Sequence, residues 1–261
     1  MIQRTLSTVR PILIDVVFQK GLALGSTLAA GSALFSRPAA AETSAVPSDG
    51  GVKTGSGPFA ARAYGTANPK VGLALMPIER RPLGPKDVFL DILFCGVCHS
   101  DIHTARGEWP GTLYPSVPGH EIVGRVVAVG NQVTKFRVGD IGGVGCMVDS
   151  CGVCPQCLAG REQSCINGTT YTYNSPDRAF RGPTLGGYSD KVIVMESFVI
   201  RIPPGADLAA TAPLLCAGVT TFSPMHHWKL ESGQRVGIIG MGGLGHVAVK
   251  LAVARKAVNA D

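Results

Sequence analysis

Short apolar-rich β segments, cut by glycine and proline, fill the chain from Phe59 to about Pro204. The clearest are residues 88–94 (VFLDILF), 122–129 (IVGRVVAV) and 188–194 (YSDKVIV), which predict the strands of a β-rich domain. Residues 206–230 read as helical. Residues 235–239 (RVGII) predict a buried strand, and residues 244–255 show helical apolar spacing. No internal repeat interrupts this order. Before it, residues 42–58 (ETSAVPSDGGVKTGSGP) are small, polar and turn-prone, the pattern of a linker. Earlier still, Lys20 and Arg37 bracket an uncharged stretch, residues 21–36, that is too short for a stable membrane span. The expected division is a targeting segment at 1–41, a linker at 42–58, a first domain at 59–204 and a second beginning at 205–261.

Composition narrows the class. With 261 residues, 45% hydrophobic and 16% charged, the chain can bury a substantial core. The net charge of +6 is no nucleic-acid signature, because +3 of it falls within residues 1–41 (Arg4, Arg10, Lys20 and Arg37 against Asp15). The remainder is scattered, with no basic stripe interleaved with aromatics, so no nucleic-acid partner is expected. Ala39-Ala40-Ala41 offers small residues for a signal peptidase. Phe18 and Lys20 fit a twin-arginine export signal, yet Asp15 and Val16 stand where the arginine pair belongs. Two readings stay open: a degenerate export signal, giving a periplasmic protein, or a non-functional extension of a cytoplasmic one.

The chain has eight cysteines, and four of them, Cys151, Cys154, Cys157 and Cys165, fall within fifteen residues. A chain this long needs no disulfide staples, and sulfurs two residues apart favour one shared metal ion. Zinc prefers tetrahedral sulfur ligation, and four protein ligands leave no open position, so the expected site is structural. A nucleic-acid-reading zinc ribbon wants paired ligands with a longer insert, and an iron–sulfur run has different final spacings. A second, dispersed set comprises Gly96-Val-Cys98-His-Ser-Asp101, Gly119-His120-Glu121 and Leu215-Cys216-Ala-Gly-Val-Thr220. Taken singly, each is as readily a buried thiol or a core histidine.

Together, in this order and spacing, the CGVCHSD, PGHE and LLCAGVT strings and the four-cysteine lobe resemble the zinc-dependent medium-chain alcohol dehydrogenases, above all their cinnamyl alcohol dehydrogenase-like branch. The resemblance runs from about residue 60 to 255. It implies a β-rich GroES-like catalytic domain with a zinc lobe, followed by an α/β Rossmann domain. It implies Cys98, His120 and Cys216 as ligands of a catalytic zinc with its fourth position open, and a second zinc in the lobe. Glu121 is either a residue that visits the metal during ligand exchange or a buried carboxylate. Asp101 would orient His120. Ser100 and His103 would relay the proton, His99 and Thr220 would contact the cofactor, and Trp109 either lines the substrate pocket or packs in the core. Cys95 and Cys146 match no role and read as packed thiols. The implied reaction interconverts primary alcohols and aldehydes by hydride transfer with NADP(H), in a homodimer.

Gly240-Met241-Gly242-Gly243-Leu244-Gly245 lies between the expected strand and helix, the context a dinucleotide-binding turn requires. Asp261 falls near the distance of a ribose-binding acid but has no second strand before it, so NADP(H) rests on the resemblance alone. Only the first strand and helix of a Rossmann domain are expected within 261 residues. Hence the chain is expected to bind zinc yet reduce aldehydes poorly, and a non-catalytic zinc-binding remnant is the rival reading.

Overall fold

A computed structural model describes residues 52–257 in full and the backbone of residues 12–14 and 258–259. The targeting segment apart from 12–14, and residues 42–51 of the linker, lie outside the described residues. In chain order the elements are β1 (Ile12–Ile14), β2 (Phe59–Gly65), β3 (Ala74–Arg80), β4 (Asp87–Cys95), α1 (His99–Ala105), β5 (Ile122–Val129), β6 (Ile141–Val144), β7 (Met147–Asp149) and α2 (Pro155–Leu158). There follow β8 (Thr170–Tyr171), β9 (Lys191–Met195), β10 (Val199–Arg201), α3 (Leu208–Thr211), α4 (Ala217–His227), β11 (Arg235–Ile238), α5 (Gly243–Ala254) and β12 (Val258–Asn259).

The first domain is built on a five-stranded antiparallel sheet, ordered β10-β6-β5-β4-β9. Val88, Leu90, Ile122, Val126, Val144 and Val194 are buried in one cluster between its strands. Each such side chain contributes roughly 1.5–3 kcal/mol by leaving water. Leu83, Phe89, Ala128 and Ile193 form a second cluster, against which Val52 and Phe59 pack. The described end of the linker lies on this domain: Gly55 N donates to Leu83 O (2.8 Å), Leu83 N to Ser56 O (2.9 Å), and Asn131 N to Thr54 Oγ1 (2.9 Å).

Two expected elements differ in detail. The strand expected at 188–194 begins only at Lys191, because residues 186–188 bond elsewhere: Gly186, Gly187 and Tyr188 donate backbone N–H groups to Val117, Gly119 and Pro118. The helix expected over 206–230 is broken into α3, a tight turn at Ala212–Leu215, and α4, with Cys216 at the junction (φ −117°, ψ −69°). Pro213, which lacks an N–H, sits in the first turn of that tight segment and fits a break there.

The second domain is a three-stranded parallel sheet, β1-β11-β12, with α5 packed on α4 around Met225, Leu230, Val236, Ala248 and Ala252. Beyond the strand and helix expected, it therefore holds β12, too short at two residues to show a period, and a pairing with residues 12–14 that no local pattern announces. No single described helix is long and apolar enough to cross a membrane.

Candidate metal centres and the adjoining cavity

The four clustered sulfurs form their own small core. Cys154, Cys157 and Cys165 are buried with Cys151 against them, while Val153, Leu158 and Ile166 around them are 74%, 75% and 68% exposed. The loop thus has almost no apolar reason to hold its shape. The Sγ–Sγ distances are 3.5 Å (Cys154–Cys157) and 3.9 Å (Cys151–Cys157). Two sulfurs each ~2.3 Å from a tetrahedral zinc stand about 3.8 Å apart. The donor set fits zinc. The N–H of Val153 leads the donors that bring the Cys151 thiol down to about 6. Against a hydrogen bond with Ser150, burial and the Cys154 sulfur lift Cys157 to about 11. Four thiols this close cannot all ionise without a cation among them.

The second set is assembled from three separate segments. Cys98 caps the N-terminus of α1, one short loop after β4. His120 precedes β5 and follows Gly119, whose φ of +104° favours glycine and whose Cβ would lie 2.7 Å from Tyr188 N. Cys216 stands at the break before α4. Cys98 Sγ and Cys216 Sγ, 118 positions apart in sequence, lie 4.0 Å from each other. One ligand atom each from Cys98, His120, Glu121 and Cys216 lies within 4.8 Å of the others.

Asp101 braces this set. It is 1% exposed and accepts four hydrogen bonds, from Cys98 N (2.9 Å), Gly119 N (3.0 Å), His120 Nδ1 (3.1 Å) and Tyr188 Oη (2.9 Å). These donors hold its carboxyl below the ordinary value although burial works against them. His120 is pushed far above the ordinary imidazole value: burial opposes, but the Asp101 carboxylate and the two sulfurs prevail. The Cys216 sulfur and burial raise Cys98 to about 11, and burial with the Cys98 sulfur raises Glu121 to about 7. Glu121 is 3% exposed and its Oε2 has no hydrogen-bond partner. A divalent cation would relieve both strains, the crowded sulfurs and the orphaned carboxylate oxygen. Two thiolates and an imidazole suit zinc.

A cavity of about 420 Å³ opens onto these groups, lined by Ser100, Thr104, Trp109, Cys146, Tyr173 and Asn174 together with His120 and Cys216. Ser100 Oγ is 3.7 Å from Cys98 Sγ. His103 is not in the lining; its ring stacks on Trp109 at 5.3 Å and its Nδ1 bonds the Glu108 carboxylate. The His99 ring lies 4.8 Å from that of His103. Trp109, 42% exposed, stands in the cavity wall and not in the core. Cys146, read from sequence as a packed thiol, is corrected by the structure: it faces the cavity beside Cys216, because the loop into β7 turns there. Cys95 is a packed thiol, raised to about 12 chiefly by burial. Sequence reasoning missed Glu108, Tyr173 and Tyr188. Tyr173 and Cys146 flank the four-cysteine lobe on either side, a signal that both ends of the lobe return to one place.

In the second domain, residues 240–245 turn from β11 into α5. A Cβ on Gly245 would sit 1.8 Å from Gly240 O, so only glycine lets strand and helix approach so closely. A Cβ on Gly243 would meet nothing within 4 Å, leaving the helix N-terminus open to a phosphate. Met241 is 67% exposed, and Thr220 lies exposed on α4.

The family profile of the alcohol dehydrogenase GroES-like domain matches residues 84–204. The chain is 56% identical over 192 residues to aldehyde reductase YahK of Escherichia coli (strain K12), covering 73% of this chain and 55% of that protein. Its structure is similar to that of CAD from Helicobacter pylori complexed with NADP(H), with a TM-score of 0.75 and 42% identity over 77% of this chain and 58% of that one. A cinnamyl alcohol dehydrogenase from Sorghum bicolor gives a TM-score of 0.74 and 43% identity over 77% and 57%. The chain spans about 55% of the length of the first of these relatives. With the GroES-like sheet, both cysteine-bearing ligand sets and the glycine turn in place, residues 84–204 carry the alcohol dehydrogenase GroES-like domain, and the chain is similar in sequence and structure to an aldehyde reductase and to cinnamyl alcohol dehydrogenases.

Proposed function

We propose that this chain carries the metal and substrate end of a zinc-dependent oxidoreductase that interconverts primary alcohols and aldehydes with NADP(H), holding two zinc ions per chain, one in each cluster. One observation carries the reading: Cys98, His120 and Cys216, from three distant segments, converge beside a cavity that His120 and Cys216 line and that is large enough for an aromatic or aliphatic aldehyde. Bound zinc supplies Lewis-acid polarisation of the substrate oxygen. Bound NADP(H) would supply or accept the hydride. Asp101 fixes the His120 ring through Nδ1, leaving Nε2 for the ion. Trp109 and Tyr173 wall the cavity against water. Ser100 Oγ, in the cavity lining, takes the proton of the substrate hydroxyl as it gives up its own. His103 carries it outward at Nε2, since Nδ1 is engaged by Glu108. The glycines of 240–245 receive the pyrophosphate, with His99 and Thr220 as further cofactor contacts.

The test counts metal and reads its surroundings. The purified protein is expected to hold about two zinc ions, and its cobalt-substituted form to shift its visible spectrum when a primary alcohol is added. Cys216→Ser should hold about one ion and lose the alcohol response. Full alcohol response in Cys216→Ser, or one ion in the unaltered protein, refutes the reading.

A further inference from the structure

We infer that Tyr188 is a positioning residue for the metal set of the first domain: its phenol fixes Asp101, and through Asp101 both Cys98 and His120. The inference rests on the reading of Cys98, His120 and Cys216 as metal ligands given above. Asp101 divides its work by oxygen. Oδ1 takes the N–H of Gly119 (3.0 Å) and Nδ1 of His120 (3.1 Å), both in the loop that bears one ligand. Oδ2 takes the N–H of Cys98 (2.9 Å), the other ligand's own backbone, and the hydroxyl of Tyr188 (2.9 Å). Of these four donors, Tyr188 is the one that belongs to neither ligand segment.

Its own placement is rigid. Tyr188 N donates to Pro118 O (3.0 Å), and Tyr188 O accepts from Tyr64 N (2.7 Å) in β2. The ring then passes over Gly119, where a Cβ would stand 2.8 Å from Tyr188 Cδ1. The absence of a side chain at Gly119 therefore lets the phenol reach Asp101. Tyrosine without its hydroxyl keeps this packing but leaves Oδ2, in a site 1% exposed, with the Cys98 N–H alone. The carboxylate is then free to turn, and a turn shifts the imidazole and the Cys98 backbone together. The four-cysteine lobe shares none of these groups and serves as an internal reference.

The experiment follows zinc release from the full chain to a chromogenic chelator, with cobalt spectra taken in parallel. Tyr188→Phe is expected to speed release of one of the two ions by about tenfold to a hundredfold. It should also shift the cobalt bands of the mixed sulfur–nitrogen site, while the four-sulfur bands and the second release phase stay as they were. Asp101→Asn should release the same ion faster still. Unchanged release and spectra in Tyr188→Phe overturn the inference while leaving the ligand reading intact. Equal acceleration of both ions also overturns it, since that is general loosening of the fold. If the unaltered chain holds only one ion, in a four-sulfur field, the ligand reading itself fails and the inference with it.

Discussion

Arg80 shows how one side chain can order a loop. It is 7% exposed and, among the described residues, meets no carboxylate within ion-pair distance; its guanidinium donates instead to Lys191 O (2.8 Å), Leu185 O (2.5 Å), Gly186 O (2.8 Å) and Ser189 Oγ (2.6 Å). Burial lowers it to about 10, so it stays charged at neutral pH. Arg80→Leu strands these acceptors and is expected to cost roughly 3 kcal/mol or more, read as a lower midpoint in urea unfolding. Because the same loop carries Tyr188, the variant should also release metal faster. At the ligands themselves, His120→Ala removes the only nitrogen donor. It should leave about one zinc per chain by atomic absorption, with the four-cysteine site still filled.

At the scale of elements, Gly119 and the four-cysteine lobe govern shape in opposite ways. Gly119→Ala meets both a positive φ and a contact of 2.7 Å with Tyr188 N. We expect a loss of roughly 2–4 kcal/mol in stability and an emptied first-domain site, measured by denaturation and metal content. The lobe is held by donors instead of by packing, so Cys165→Ser should open it to proteolysis within residues 151–168 while the five-stranded sheet survives. Protection of that loop equal to the unaltered chain's would refute its dependence on metal. Elements were legible to different degrees. Strand β5 covers the residues expected, Ile122–Val129, because a run this apolar is stable only where sheet pairing and packing bury most of it. The helix over 206–230 was not legible as broken: helical spacing runs through Cys216, and the interruption depends on how the segment packs against Val123 and Ile202.

At the scale of the whole molecule, the second domain exposes much of its apolar surface. Phe222, Trp228, Ile239, Met241 and Val253 are 43%, 64%, 57%, 67% and 55% exposed. Such surface promotes association, so the 261-residue chain should self-associate as its concentration rises, and Val253→Glu should weaken this in light scattering.

The sequence by itself determined the chemistry on offer. Sulfur spacing in the lobe specifies a shared ion because neighbouring cysteines cannot point far apart, and Gly240 and Gly245 specify a tight turn because the first has a positive φ and a side chain on the second would strike the Gly240 carbonyl. Both signals are local. Tertiary structure alone decided that Cys98, His120 and Cys216 meet, that Cys146 and Tyr173 face the same cavity, and that Asp101 is held from a third segment by Tyr188. Those relations join residues tens of positions apart, through register and packing that no short window of sequence contains.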